Sequence, residues 1–255
     1  LKYIRIMALS IKHINSKFKN KNNPKIGLIA LSTDQTIEGD FYKVCNNLPL
    51  DIFINRIHNQ NPLTKENLLK MQDELESVTK KILPDEKINT IAYGCTSGTI
   101  VIGEEKVKEK ILLAKNDCYV TTPVTSTIKA FKEMNIKKIA LFTPYPEAVN
   151  KTILDFFIQK NIQVTSFTSL NLNLDSEFAN VDPNYILEIS SQLEIKNADA
   201  LFFSCTALPV LNIIDKLEKK LQKLVLSSNQ TLIWDTIRSI GYKSPIKGYG
   251  KLLEN

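Results

Sequence analysis

The chain has 255 residues, 43% of them hydrophobic and 24% charged, with a formal charge of +6. That is enough to bury a core in one large or two small domains, and no apolar run approaches the about 20 residues that a membrane span needs. Seven of the 33 basic residues fall in residues 1–25, which hold no acid, and the remaining 26 face 27 acids, so the body is close to neutral. Nucleic-acid binding is therefore set aside.

Residues 1–24 read as a flexible basic leader without a signal-peptide core, and Met7 is a candidate natural start. Lys25 to Leu31 reads as the first strand, and Ser32-Thr33-Asp34-Gln35-Thr36 as the loop at its end. A short helix is predicted over Glu38 to Cys45 and a strand over Leu50 to Ile57. Thr64 is a natural N-cap for a long helix from Lys65 to about Leu83, in which Leu68, Met71, Leu75 and Val78 recur at helical spacing. Ile88 to Tyr93 is a buried strand of a parallel sheet. Gly94 to Gly98 then turns the chain, and helical spacing resumes at Thr99. Asp117 to Val120 reads as a strand and Thr125 to Met134 as a helix.

The alternation repeats. Strands are predicted over Lys138 to Phe142, Ile162 to Phe167, Ala200 to Phe203 and Lys223 to Leu226. Helices are predicted from Pro146 to Lys160, from Pro183 to Ile195 with Asp182 as cap, and from Pro209 to about Gln222. The last helix is Gln230 to Ile240, capped by Asn229, and Leu170 to Asn180 reads as a loop. Thr33 precedes Cys95 by 62 residues, and Thr143 precedes Cys205 by the same interval. The expected fold is α/β, with two pseudo-symmetric lobes, each a parallel sheet flanked by helices. The first lobe is expected over 25–124 and the second over 125–222, with 223–241 packing back on the first and 242–255 a tail.

Cys95 and Cys205 each close a strand just before a helix, where open α/β sheets bind ligands. The helix dipole is expected to favour their thiolates, so an alkylating agent is expected to label them ahead of Cys45 and Cys118, which read as packing. Two thiols across a cleft can act as base and acid on opposite faces of one carbon. Alternatively, one adds to an sp² carbon while the other supplies a proton. Thr96, Ser97 and Thr206, beside the thiols, offer hydroxyls to the anion that forms, so no metal or organic cofactor is needed. Tyr145 is either a surface loop residue or a phenol donor. Of the two histidines, His13 lies in the leader and His58 follows a strand, which gives a Cys-His hydrolase little support. The four cysteines form no CxxC pair and fit a reducing, cytoplasmic setting.

Four stretches, YGCTSGT, TPYPEAVN (143–150), FFSCTALP and SSNQTLIW (227–234), resemble the maleate isomerase and arylmalonate decarboxylase family of the Asp/Glu racemase superfamily. The resemblance covers about Pro24 to Gly241. It implies a two-lobe fold and cofactor-independent chemistry at a carbon beside the carboxylate of a small amino or dicarboxylic acid. By position Cys95 matches the first-lobe nucleophile and Cys205 the second-lobe cysteine, while Thr96, Ser97 and Tyr145 match donors to a carboxylate or enediolate. In one place the chain departs from the maleate isomerase pattern SSNTTxE: Asp34 stands where the family's Asn helps to bind a carboxylate. A carboxylate there repels an anion and suits an ammonium or amidinium group; the alternative is that Asp34 only caps the next helix. STDQTIEGDF and NPLTKENL are more similar to racemase-like proteins associated with ectoine breakdown. The sequence thus reads as an isomerase or racemase acting alpha to a carboxylate with Cys95 and Cys205 as acid and base. A decarboxylase using Cys205 alone, or a non-catalytic binding protein, are the rivals. The expected partner is a small carboxylate, with no nucleic acid and no membrane, and a homo-oligomer is compatible with the sequence.

Overall fold

The structure, a computed structural model, describes residues 11–18 and 22–255. Most of the basic leader, Met7 included, lies outside the described residues.

The first half contains β1 (Lys25–Leu31), α1 (Ile37–Cys45), β2 (Asp51–Ile57), α2 (Lys65–Lys70), α3 (Leu75–Lys80), β3 (Thr90–Gly94), α4 (Thr96–Ile102), α5 (Glu104–Ala114), β4 (Tyr119–Thr121) and α6 (Pro123–Glu133). The second contains β5 (Lys138–Thr143), α7 (Glu147–Gln159), β6 (Gln163–Ser169), α8 (Asp175–Ala179), α9 (Pro183–Ile189), β7 (Ala200–Phe203), α10 (Ile214–Leu221), β8 (Leu224–Ser227), α11 (Ser228–Ser239) and α12 (Lys251–Glu254). The strands form two sheets of the same order, β2-β1-β3-β4 and β6-β5-β7-β8, and every pairing is parallel. Parallel neighbours need helical crossovers on the sheet faces, so the central strands are apolar along their length. Residues 26–31 of β1 and all of β3 and β7 are accordingly buried, whereas the edge strands β2 and β6 are only partly covered.

The two lobes are tied by exchanging their last helices. Phe131 of α6 packs edge-on against Phe202 of β7 and beside Phe157 of α7. α11 lies along α6 and against β3 and β4 of the first sheet. Between the two helices Thr127 and Thr231 share a hydroxyl hydrogen bond of 3.0 Å. Asp235 of α11 accepts from the Tyr119 phenol at 3.0 Å, from the Thr121 hydroxyl and from Lys129 Nζ at 3.1 Å.

Several elements differ from the sequence reading. The helix expected over 65–83 breaks at a 3₁₀ turn, Met71–Asp73, which brings Met71 Sδ within 3.6 Å of the Tyr93 hydroxyl. The helix after Cys95 starts at Thr96 rather than Thr99, and Gly103, at φ +96°, separates it from α5. The stretch read as a loop over 170–180 contains α8, and the helix expected from Pro209 begins only at Ile214. Ser227, not Asn229, caps α11, its hydroxyl accepting from the Gln230 amide at 3.2 Å. Residues 242–255 are held down by Leu252 and Leu253 of α12, both buried. Gly250 has φ +87°, and a Cβ there would sit 2.5 Å from Ile214 Cγ2, so only glycine fits this turn. Among the described residues no helix is long and apolar enough to cross a membrane.

Asp235 is the polar knot of the exchanged helices. Asp235→Ala leaves the buried Thr121 hydroxyl without its acceptor and releases Tyr119 and Lys129, both partly exposed, and should cost about 1–3 kcal/mol in chemical denaturation. A loss within about 0.5 kcal/mol would show that the apolar contacts of α6 and α11 suffice.

Candidate functional site

Both sheets end their central strands at the same seam. Cys95 follows β3 and is the N-cap of α4, where its Sγ accepts the Gly98 amide at 3.2 Å. Gly98 is required for this approach, since a Cβ would lie 2.7 Å from Sγ and 2.9 Å from the Tyr93 hydroxyl. The Ser97 hydroxyl is 4.0 Å from the same sulfur. Cys205 follows β7 in a loop that the first lobe grips from behind. Thr36 Oγ1 donates to the Ala207 carbonyl at 2.8 Å, and Asn229 Nδ2 donates to the Thr206 carbonyl at 2.7 Å and to Asp40 Oδ2 at 2.9 Å.

Tyr145 follows β5. Its carbonyl accepts from Asn150 Nδ2 and from the Ser169 hydroxyl, both at 2.7 Å, and Thr143 donates to Asn150 Oδ1 at 2.6 Å. That hydrogen-bonded corner explains the TPYPEAVN pattern and turns the phenol inward, beside Cys205. Asp175, the first residue of α8, reaches across the seam to accept from Thr33 Oγ1 and, at 3.0 Å, from Asn59 Nδ2. Asp34 in the β1–α1 loop accepts the Thr36 and Ile37 amides on Oδ1 at 2.7 and 2.9 Å, while among the described residues its Oδ2 has no hydrogen-bond partner of normal geometry.

Desolvation dominates the electrostatics of this seam. Cys95 and Cys205 are 2% and 3% exposed, and Asp34, Tyr145 and Asp175 are 1%, 3% and 4% exposed. Burial pushes the Cys95 thiol up to about 12, against the smaller lowering effect of the Gly98 amide. Burial also raises Cys205, opposed by the Tyr145 phenol and aided by the charge of Asp175. The carboxyls of Asp34 and Asp175 rise for the same reason, and Tyr145 lies well above the ordinary phenol value. The expectation of helix-activated thiolates therefore fails for the unliganded protein. A helix terminus contributes about 0.3–1 kcal/mol, whereas full burial can shift a pKa by up to about 3–5 units.

The structure brings Cys95, Cys205, Asp34, Ser97, Tyr145 and Thr206 to one place. Thr206 lies beside Asp34, although its hydroxyl points to the Gly94 carbonyl at 3.4 Å. Thr96 is buried but turned away, its hydroxyl donating to Ser228 Oγ at 3.0 Å. His58 and His13 are exposed, so no histidine stands with the thiols. The sequence reading missed Asp175, Thr33 and Asn59 as members of the seam. The Asp-Ser-Glu run at 175–177 is a helix-start signal that could have located α8. Among the described residues no group of three or more His, Cys, Asp or Glu is placed to hold a metal ion. A groove of about 370 Å³ between α2, α4 and α7 is lined by Leu63, Lys65, Leu68, Ser97, Ile100 and Val149, and neither cysteine lines it.

A family model described as arylmalonate decarboxylase matches residues 68–253. A maleate isomerase of Geobacillus stearothermophilus is 27% identical over 90% of this chain and 96% of its own length. The crystal structure of a maleate isomerase from Pseudomonas putida superposes with a TM-score of 0.83 at 20% identity, covering 91% of this chain and 98% of that one. A Nocardia farcinica maleate cis-trans isomerase, a cysteine-to-serine mutant with a covalently bound succinylcysteine intermediate, gives a TM-score of 0.82 at 18% identity over the same shares.

Two measurements follow from the burial. Cys118 is the least buried thiol and is raised only to about 11, against about 12 for Cys45 and Cys95. Iodoacetamide on the ligand-free protein should therefore label Cys118 first, and earlier labelling of Cys95 or Cys205 in peptide maps would mean an open seam. Burial also raises the Asp40 carboxyl from 3.8 to about 6. Between those values the folded protein keeps a proton that the unfolded chain has released, so this stability is lost as the pH rises through that window. Asp40→Asn keeps an acceptor for Asn229, and should gain about 2–3 kcal/mol relative to wild type between about pH 4 and about pH 7.5. Parallel stability curves would place the charge of Asp40 in contact with water.

Proposed function

This chain belongs to the arylmalonate decarboxylase family, and on that premise we propose that it is a cofactor-independent isomerase or racemase acting at the carbon alpha to a carboxylate. One observation carries the reading: two buried thiols, one from each lobe, share the same neighbours. Both bear on the Tyr145 phenol, and both feel the charge of Asp175.

In the proton-transfer arm, one thiolate removes the hydrogen alpha to the carboxylate and the other thiol returns a proton to the opposite face. The electron pair left by the C–H bond passes onto the carboxylate as an enediolate, which the hydroxyls of Ser97, Thr206 and Tyr145 stabilise. In the addition arm, Cys95, once it has given up its proton as the ligand binds, forms a bond from its thiolate to one carbon of a C=C while the Cys205 proton goes to the other and leaves Cys205 as the thiolate. Rotation about the resulting single bond and reversal of both transfers then give the geometric isomer. The covalent cysteine adduct named for the Nocardia farcinica enzyme supports this arm as chemistry the fold permits. Decarboxylation, with Cys205 protonating the carbanion left by CO₂, is the alternative that the family model supports. A small carboxylate partner and a reducing, cytoplasmic setting belong to the same reading, because the chemistry needs free thiols.

Incubating small amino and dicarboxylic acids in deuterated water under proton NMR distinguishes the arms. We expect solvent deuterium at the carbon alpha to the carboxylate, or cis-trans conversion, without loss of CO₂. Cys95→Ser and Cys205→Ser should each lower turnover by about two orders of magnitude or more while staying folded. Wild-type turnover in both variants would overturn the two-thiol reading, and binding with neither exchange nor conversion would make this a binding protein.

A further inference from the structure

We infer that the ligand of this seam carries a cationic nitrogen, seated between Asp34 of the first lobe and Asp175 of the second. The inference rests on reading the seam as the substrate site, and it adds the charge that the substrate must bring.

The first observation is the divided carboxylate of Asp34. Its Oδ1 is consumed by the Thr36 and Ile37 amides, as a helix-capping role requires. Among the described residues its buried Oδ2 has no hydrogen bond of normal geometry; the Thr206 hydroxyl stands beside it but is turned to the Gly94 carbonyl at 3.4 Å. A buried acceptor left open is costly unless something fills it. A cap explains one oxygen and leaves the other for a ligand.

The second observation is independent and comes from the other lobe. Asp175 is buried in the same seam, near enough for its charge to act on Asp34, Cys95, Cys205 and Tyr145. Among the described residues neither Asp34 nor Asp175 forms a salt bridge with a Lys, Arg or His. Asp40, behind Asp34, adds a further carboxyl and is itself paired with Lys43 and Asn229. Arg56 borders the loop, but it is exposed and spent on Glu38 and on the carbonyls of Leu31, Ser32 and Asp34. Asp175 accepts from Thr33, the residue before Asp34, so two carboxyls from two lobes enter one seam without an ion-pair partner among the described residues, and no group of three metal-binding side chains forms there.

The chemistry asks for the same charge. A positive group beside a thiol raised by burial lowers its pKa and lets it serve better as a base. An ammonium or amidinium on the substrate supplies one. A dianion would instead raise both thiols further. The competing arrangement is a pair of protonated carboxyls that donate to a second carboxylate, and the preferred ligand separates the two: one bearing an amino group in the first case, one bearing a second carboxylate in the other.

Calorimetry at neutral pH should compare ligands of matched length: β-alanine with succinate, and aspartate with maleate. For wild-type protein we expect the amino-bearing member of each pair to bind at least about tenfold tighter. Asp34→Asn and Asp175→Asn each retain their protein hydrogen-bond acceptor, and each should cut that preference by about tenfold or more. Preference for succinate over β-alanine and for maleate over aspartate, failure of every amino probe to bind, or an unchanged ratio in both variants would overturn the inference. The wild-type comparison stands even if a variant does not fold. Binding is read without turnover, so amino probes that bind but never exchange hydrogen contradict the proposed reaction and leave the charge preference intact.

Discussion

Water is excluded from the seam between two lobes, and the ionisable groups caught there set what the protein can do. Two thiols, two carboxyls and a phenol sit where the central strands end, all nearly inaccessible. Each would be cheaper to keep neutral than charged in such a place, and each is shifted accordingly. A surface position for the same residues would leave ordinary, unselective thiols. The site is a consequence of closure, and the closure is held by particular contacts.

Those contacts come mainly from the fold's near two-fold character. Identical strand order in the two sheets places β3 and β7 as equivalent central strands, each ending in a cysteine. The exchange of α6 and α11 fixes one sheet against the other. Smaller contacts set the loops. Thr36 and Asn229 grip the chain on either side of Thr206 and Ala207, and Asn150 sets the Tyr145 turn. Asp175 closes the rim by accepting from Thr33 and Asn59 on the opposite lobe. Most of these polar side chains serve two elements at once, which is why short, separated motifs recur along a chain whose remaining residues are ordinary core.

Much of this was legible in the sequence because it is local. An apolar run closed by Gly-Cys or Ser-Cys marks a strand end, and the equal spacing of Thr33–Cys95 and Thr143–Cys205 marks the internal repeat. Thr64 and Asp182 cap their helices as their residue types suggest. What was not legible depends on neighbours distant in sequence. Asp175 gains its meaning only from Thr33 and Asn59, and Thr96 loses its place in the site because Ser228 lies behind it. The thiol shifts were misjudged for a related reason. A helix N-terminus can be read from spacing, whereas the burial that outweighs it is a property of the assembled lobes.

Both thiols should therefore be neutral in the free protein and wait for a ligand to set their charge. The S–H stretching band in the infrared reports this directly, and comparison with Cys95→Ser and Cys205→Ser assigns each contribution. At neutral pH the S–H bands of Cys95 and Cys205 should both be present without ligand, and one should weaken when a bound ligand brings positive charge into the seam. Absence of either band in the free protein would mean a standing thiolate, and would contradict an account in which burial governs the site.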